Sequence, residues 1–343
     1  MSTTPTPAAV EQGLLSRWRE VMRTTNPPAG RLDPVSKWLV LTRASVLPMT
    51  LTAGVAAGLL AVRKPHFNWG WYLLALLGIV LAHVSNNLMN DLFDSEEGTD
   101  TADYPRALYA PHPILSGLVT RRGLVSAALL VNVVDLVILI VLTAARGWPI
   151  LVFGLGGFFL SAAYTAPPLR LKRRALGEPD VLVVWGPLMV GGTYYAAVGH
   201  VTWEVILASL PYGLLCTAVL MGKHIDKAPW DAPTGTVTLP VLVGEKAARR
   251  ITQGLMFGFY LAVVACVVVR ALPWPALAVL GALPALVKVS RTFARPKPAA
   301  PPKGFPVWPL WFAAMAFLHT RRAGALLVLG LAVAAVAGIR IGG

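Results

Sequence analysis

An all-α bundle of nine membrane-spanning helices is the fold class this sequence predicts, and three observations predict it. The first is composition. Of 343 residues, 56% are hydrophobic and only 13% are charged, with a mean hydropathy of +0.63. Soluble domains carry about a quarter charged residues, so a soluble globular enzyme is excluded. The second is the set of runs free of Asp, Glu, Lys and Arg: 44–62, 65–90, 147–169, 181–203, 205–222, 251–269, 271–287, 304–320 and 323–339, with 123–145 broken only by Asp135. A spanning helix needs about 20 mostly apolar residues, and nearly all of these runs qualify. The third is where the basic residues fall. With nine spans and the N-terminus inside, 25 of the 30 Lys and Arg lie on the inner side. That asymmetry orients the chain, with the C-terminus outside. It also turns the net charge of +14 towards a membrane surface rather than a nucleic acid.

Taken in order, residues 1–36 read as a cytosolic tail without the apolar core of a signal peptide, so no cleavage is expected. Val10, Leu14, Trp18 and Met22 recur every four residues there, which suits either a short amphipathic helix on the inner surface or, equally, a disordered tail. Residues 37–343 read as one transmembrane catalytic domain. The run 304–320 contains Pro306 and Pro309, leaving about a dozen good helical residues, a length suited to an interfacial or re-entrant segment. Counting it as a tenth span would move Arg321 and Arg322 outside and weaken the charge pattern. Nine is therefore the expectation, with Pro296–Pro302 as a stiff linker before the last span. The two cysteines, Cys216 and Cys266, lie in apolar runs and support neither a disulfide framework nor a thiolate metal site.

Chemistry gathers at three inner helix ends. In the second span His83, Asn87, Asn90, Asp91 and Asp94 recur at three- to four-residue intervals and so share one helical stripe. A carboxylate in hydrocarbon costs about 2.5–3.5 kcal/mol, so this stripe should face a cavity. Asp91 and Asp94, one turn apart, can share hard divalent cations, with Asp100 a few residues on. The sixth span closes on Lys223, Asp226 and Asp231; Pro229 is expected to break the helix and leave Asp231 on a loop. The two acidic sites together suggest a pair of Mg²⁺ clamps facing each other across the bundle. Mg²⁺ typically binds through one or two carboxylates plus substrate phosphates, so the implied substrate is a phosphate ester with an apolar body, such as a prenyl diphosphate. After the fourth span, Lys172 can neutralise diphosphate oxygens, with Tyr164 beside it. Asn87, Asn90, Lys223 and Arg43 are the further candidates for holding the ligand. Asn132 and Asp135, near the middle of the third span, read as a buried polar knot, with His83 as a partner.

The pattern resembles the UbiA-type intramembrane prenyltransferase superfamily. The resemblance rests on Asn90-Asp91-x-x-Asp94, on the loop from Tyr164 through Pro167-Pro168 to Lys172, and on Asp226/Asp231 ahead of Thr238-Leu239-Pro240. Asp100 after Gly98-Thr99, and the fifth span from Gly177-Glu178 through Trp185-Gly186-Pro187 to Tyr194-Tyr195, are similar to the dihydroxynaphthoate branch that makes menaquinone. The chain departs from that branch at Gly222–Ile225, and Asp231 follows Asp226 by five residues rather than four. The resemblance implies Mg²⁺-assisted departure of diphosphate and capture of the allylic cation by an aromatic acceptor. Arg43, His83, Asn87, Tyr194 and Tyr195 are the candidates to orient that acceptor. Two other classes compete. A UbiA-type terpene cyclase would let the cation attack its own chain, and a transporter would place its polar groups near mid-bilayer rather than at inner helix ends.

Overall fold

Local signals set the helix boundaries in the structure, a computed structural model that describes residues 13–26, 32–96, 98 and 100–339. Helix α1 (Leu14–Thr24) carries the expected surface spacing; Val10 lies outside the described residues. Asp33 caps α2 (Pro34–Leu41), accepting from the Val35 and Ser36 amides at 3.0 Å, while Pro34 sits at the first helical position, where its missing N–H costs nothing. The Asp33 carboxylate also accepts from Trp18 Nε1 at 3.0 Å, which fastens α1 to α2.

The spanning helices follow: α3 (Ala44–Ala61), α4 (Trp69–Glu96), then, after the short α5 (Pro105–Tyr109), α6 (Arg121–Arg146), α7 (Pro149–Thr165), α8 (Gly177–Val198), α9 (Trp203–Asp231), α10 (Glu245–Val268), α11 (Trp274–Phe293) and α12 (Trp311–Ala337). Eight of them are long and apolar enough to cross a membrane, and α7, at 17 residues, is a shorter apolar helix. The chain is thus a multi-pass membrane protein with nine apolar helices among the described residues. Helix α9 is central and packs against α8, α10 and α12, while α4 packs against α3, α6, α7 and α8. Lipid tails are as apolar as Leu, so close backbone approach through small residues drives such packing. A Cβ at Gly222 would lie 2.7 Å from the Phe312 carbonyl oxygen, and one at Gly330 only 2.2 Å from that of Pro275. Cys216 and Cys266 are buried and unbridged, as packing residues should be.

Two boundaries differ from expectation. The last span does not begin at 323; α12 runs unbroken from Trp311 through Arg321 and Arg322. No proline interrupts it, and its 27 residues reach about 40 Å, more than the ~30 Å of hydrocarbon, enough to span with tilt. The interfacial segment is correspondingly confined to the residues before Trp311. Likewise, Pro229 does not end α9, which continues to Asp231. A proline in the last turn forfeits one helical hydrogen bond, and Tyr104 donates to the Asp231 carboxylate to hold that turn in place.

Candidate active site

The polar stripe on α4 is turned inward: His83, Asn87, Asn90, Asp91 and Asp94 are all buried, Asp91 completely. A buried carboxylate must find cations or donors, and Asp91 finds two arginines. Arg106 makes a two-pronged contact, Nε to Oδ1 at 2.8 Å and an Nη to Oδ2 at 3.0 Å, and Arg43 pairs with Oδ1. Burial opposes both guanidinium charges, but Asp91 outweighs it and raises their pKa above the ordinary value, so both stay charged. Pro105 starts α5, and this turn carries Arg106 back onto α4. Asp94 pairs with Lys172. The Lys172 loop is itself fixed by the Ala175 amide, which donates to the Val237 carbonyl at 2.8 Å. Asp100 faces His112 Nε2 at 3.1 Å, and its Oδ1 is buried without a partner. Asn87 donates to the Thr42 carbonyl at 3.0 Å, and Asn90 accepts from Thr165.

The second acidic cluster is not where a facing clamp requires it. Asp226 Oδ2 accepts from the Ala313 amide at 2.9 Å, and its Oδ1 lies 3.5 Å from Lys297 Nζ. The cause is Gly222: with no side chain there, α12 packs its backbone directly on α9 and offers its unpaired N-terminal amides to the nearest carboxylate. Asp231 accepts instead from Tyr104, whose hydroxyl is held neutral because burial, and then the Asp231 charge, push its pKa well above the usual phenol value. What α9 sends towards α4 is basic: Lys223 and Lys227, the latter with Nζ 4.3 Å from the centre of the Tyr104 ring. Asp226→Asn is therefore expected to lower the thermal stability of the protein more than its turnover. A melting curve and an initial rate on the same preparation check this, and loss of turnover at an unchanged melting temperature would restore the clamp.

The result is a small polar pocket lined by five basic side chains, Arg43, Arg106, Lys172, Lys223 and Lys227, and by two acids, Asp94 and Asp100. It adjoins a cavity of about 1310 Å³ whose wall is mainly apolar and which shares Arg43, Asn90, Tyr109, Tyr164 and Lys223 with the pocket. Tyr164 stands at this junction. Its hydroxyl is 3.3 Å from His224 Nε2, and His224 Nδ1 is 2.7 Å from Glu178 Oε1. With Glu178 accepting from Nδ1, Nε2 is left to accept from Tyr164. An excess of basic over acidic side chains beside an apolar cavity suits an amphiphile with a polyanionic head. The donor set also fits a hard divalent cation. Asp94 and Asp100 line the pocket, and Asp91, Asp100 and His112 place ligand atoms within 4.8 Å of one another.

Several predicted residues are thus brought together: Arg43, Asn90, Asp91, Asp94, Asp100, Tyr164, Lys172 and Lys223. Tyr194 and Tyr195 are not among the cavity-lining residues; Tyr194 is fully buried in the core and Tyr195 donates to the Arg146 carbonyl at 3.0 Å. In the third span Asn132 accepts from Ser85 at 3.0 Å, whereas Asp135 lines the cavity and His83 pairs with Thr50 at 2.7 Å, so no Asp135–His83 knot forms. Sequence reasoning passed over Arg106, His112, Tyr104 and the His224–Glu178 pair. Arg106 was readable only as one more inner-side cation, and a lone His gives no signal until its partners are known.

Comparison with known proteins gives the family and the fold. A model of the UbiA prenyltransferase family matches residues 50–314. The chain is 31% identical over 234 residues to the 1,4-dihydroxy-2-naphthoate octaprenyltransferase of Escherichia coli, covering 66% of this chain and 75% of that protein. It is 26% identical to the 2-carboxy-1,4-naphthoquinone phytyltransferase of Synechocystis, over 79% of this chain and 87% of that one. In fold it is similar to a UbiA homologue from Archaeoglobus fulgidus bound to GPP and Mg²⁺, with TM-score 0.54 and 14% identity, covering 85% of this chain and 99% of the other.

Proposed function

The chain belongs to the UbiA prenyltransferase family, and from that premise we propose that it moves a prenyl group from a prenyl diphosphate onto the ring of an aromatic, quinone-precursor-like acceptor. The observation that carries this reading is the shared wall between the basic pocket and the large apolar cavity. The diphosphate sits in the pocket, where Lys172, Lys223, Lys227 and Arg106 neutralise its oxygens. The isoprenoid body lies along the apolar wall. Asp91, Asp94 and Asp100, with Asn90 beside them, would hold Mg²⁺, which supplies Lewis-acid stabilisation of the leaving oxygens when bound. Arg43 and Arg106 hold the Asp91 carboxylate in place, and the His224–Glu178 pair does the same for the Tyr164 hydroxyl at the mouth of the cavity. The C1–oxygen bond breaks with its electron pair leaving on diphosphate, an acceptor ring carbon bonds to C1, and the ring proton is lost. Apolar helices keep water from the allylic cation.

Active site and N-terminus lie on the cytosolic side in this reading, supported by the placement of 25 of 30 Lys and Arg. A cysteine placed at Thr202, between α8 and α9, is expected to react with an impermeant thiol reagent from outside intact cells, and one at Thr234 only after permeabilisation. The reverse pattern would invert the topology.

Incubation of the purified protein with Mg²⁺, a panel of prenyl diphosphates, and aromatic acceptors supplied singly or omitted tests the reaction itself. Diphosphate release is expected to depend on an acceptor, with the prenyl group recovered on its ring. Rapid release without acceptor, giving a cyclic hydrocarbon or terpene alcohol, would establish a cyclase instead.

A further inference from the structure

One of the three groups that stand close enough to share a cation is a histidine. His112 is fully buried on the segment between α5 and α6, with Nε2 3.1 Å from Asp100 Oδ2 and 3.9 Å from Asp91 Oδ1. Two roles are open to an imidazole so placed. It can give a lone pair to the metal, or it can give a hydrogen to a carboxylate that binds the metal. The far side of the ring decides between them. His112 Nδ1 accepts from the Ile114 amide at 3.2 Å and from the Leu115 amide at 3.3 Å. A hydrogen on Nδ1 would face two N–H groups, so the ring hydrogen sits on Nε2 and points at Asp100. A metal-bound histidine has the reverse arrangement, with one nitrogen on the metal and the other donating its N–H to a carboxylate, a carbonyl or water. The segment holds this facing. The Ser116 hydroxyl and amide both donate to the His112 carbonyl, at 2.6 and 3.0 Å. Arg106, which grips Asp91, also donates to the Ala110 and Pro111 carbonyls at 3.4 Å.

We propose that His112 is a positioning residue of the metal site: its Nε2–H holds Asp100 Oδ2, so that Asp100 offers Oδ1 to the cation and the cation is bound through oxygens alone. This rests on the Mg²⁺ chemistry of the reading above. The Asp100 amide donates to the Asp94 carbonyl at 3.0 Å, which ties its backbone to the helix that carries Asp91 and Asp94. Its side chain takes a hydrogen bond from His112 alone among the described residues, and Oδ1 is buried without a donor. A buried carboxylate oxygen left without a donor calls for a partner, and a divalent cation supplies one. The outcome bears on which metal is held. An imidazole ligand would favour Zn²⁺, whereas a set of carboxylate oxygens suits Mg²⁺ and Mn²⁺.

The test compares wild type with His112→Gln and His112→Leu, using Mn²⁺ as the probe. The glutamine amide N–H can still donate to Asp100; leucine fills the space and cannot. Mn²⁺ affinity, read by calorimetry in the presence of inorganic diphosphate, is expected to fall about ten- to hundred-fold in His112→Leu. In His112→Gln it is expected to stay within about three-fold of wild type, because the hydrogen bond is retained. The Mg²⁺ concentration at half-maximal rate should rise in His112→Leu by the same ratio, with the KM for prenyl diphosphate at saturating Mg²⁺ within about two-fold of wild type. A spin-echo spectrum of Mn²⁺ bound to the wild-type protein, which depends on no variant folding, is expected to lack the nitrogen coupling of a bound imidazole. That coupling, or a folded His112→Gln protein that binds Mn²⁺ as weakly as His112→Leu, would overturn the positioning role. Unchanged Mn²⁺ affinity in folded His112→Leu protein would overturn it as well. Wild type that binds no Mn²⁺, with or without diphosphate, would overturn the metal reading on which the role rests.

Discussion

Asp91→Asn is expected to reduce turnover about 10³-fold, roughly 4 kcal/mol of transition-state stabilisation, at saturating prenyl diphosphate and excess Mg²⁺. The amide preserves the shape of the side chain and can still accept one hydrogen bond. It removes the negative charge that balances Arg43 and Arg106 and that offers a hard oxygen to the metal. Removing one partner of a buried ion pair also costs stability, about 3–5 kcal/mol, so the melting temperature should fall as well. Turnover must therefore be measured below that temperature on protein shown to be folded. A further readout is the Mg²⁺ concentration at half-maximal rate, which should rise in this variant. Near-normal Mg²⁺-dependent turnover in folded Asp91→Asn protein would remove Asp91 from the chemistry.

Lys172→Met is expected to lower turnover roughly 10²-fold with a smaller effect on stability. Lys172 lines the polar pocket and pairs there with Asp94. Methionine keeps the length and apolar stem of the side chain, so the loss reports the ammonium charge. Because leaving-group charge develops in the transition state, kcat should fall more than the affinity for prenyl diphosphate. A variant whose KM rises while kcat stays unchanged would mean that Lys172 merely holds the substrate.

Asp91 and Lys172 were both readable as candidates: Asp91 from the three- and four-residue spacing of polar groups on one helix, Lys172 from the loop that follows Tyr164-Thr165-Ala166-Pro167-Pro168. Neither pattern discloses the partner. Arg43 is separated from Asp91 by 48 residues and Arg106 by 15, and both meet it only because α4, the end of α2 and α5 converge. The Asp226 cluster shows the opposite outcome. Its residue types suited a second clamp, but the missing side chain at Gly222 lets α12 close on α9 and take the carboxylate for its own N-terminal amides.

What the sequence determined by itself is what depends on local free energy. Whether about 20 residues enter a bilayer is decided by their own side chains, which is why the nine apolar segments, the inward stripe on α4 and the basic bias of one side were all legible. Boundaries set by neighbours were not: α12 begins at Trp311 and α9 ends at Asp231 because packing and one hydrogen bond outweigh local breakers. The tertiary structure alone decided which acids line the pocket, which tyrosines are core, and that Arg43 and Arg106 meet on Asp91. Each of those facts is a pairing between groups far apart in the chain or an absence of pairing. Burial makes such pairings strong, and no periodicity records them.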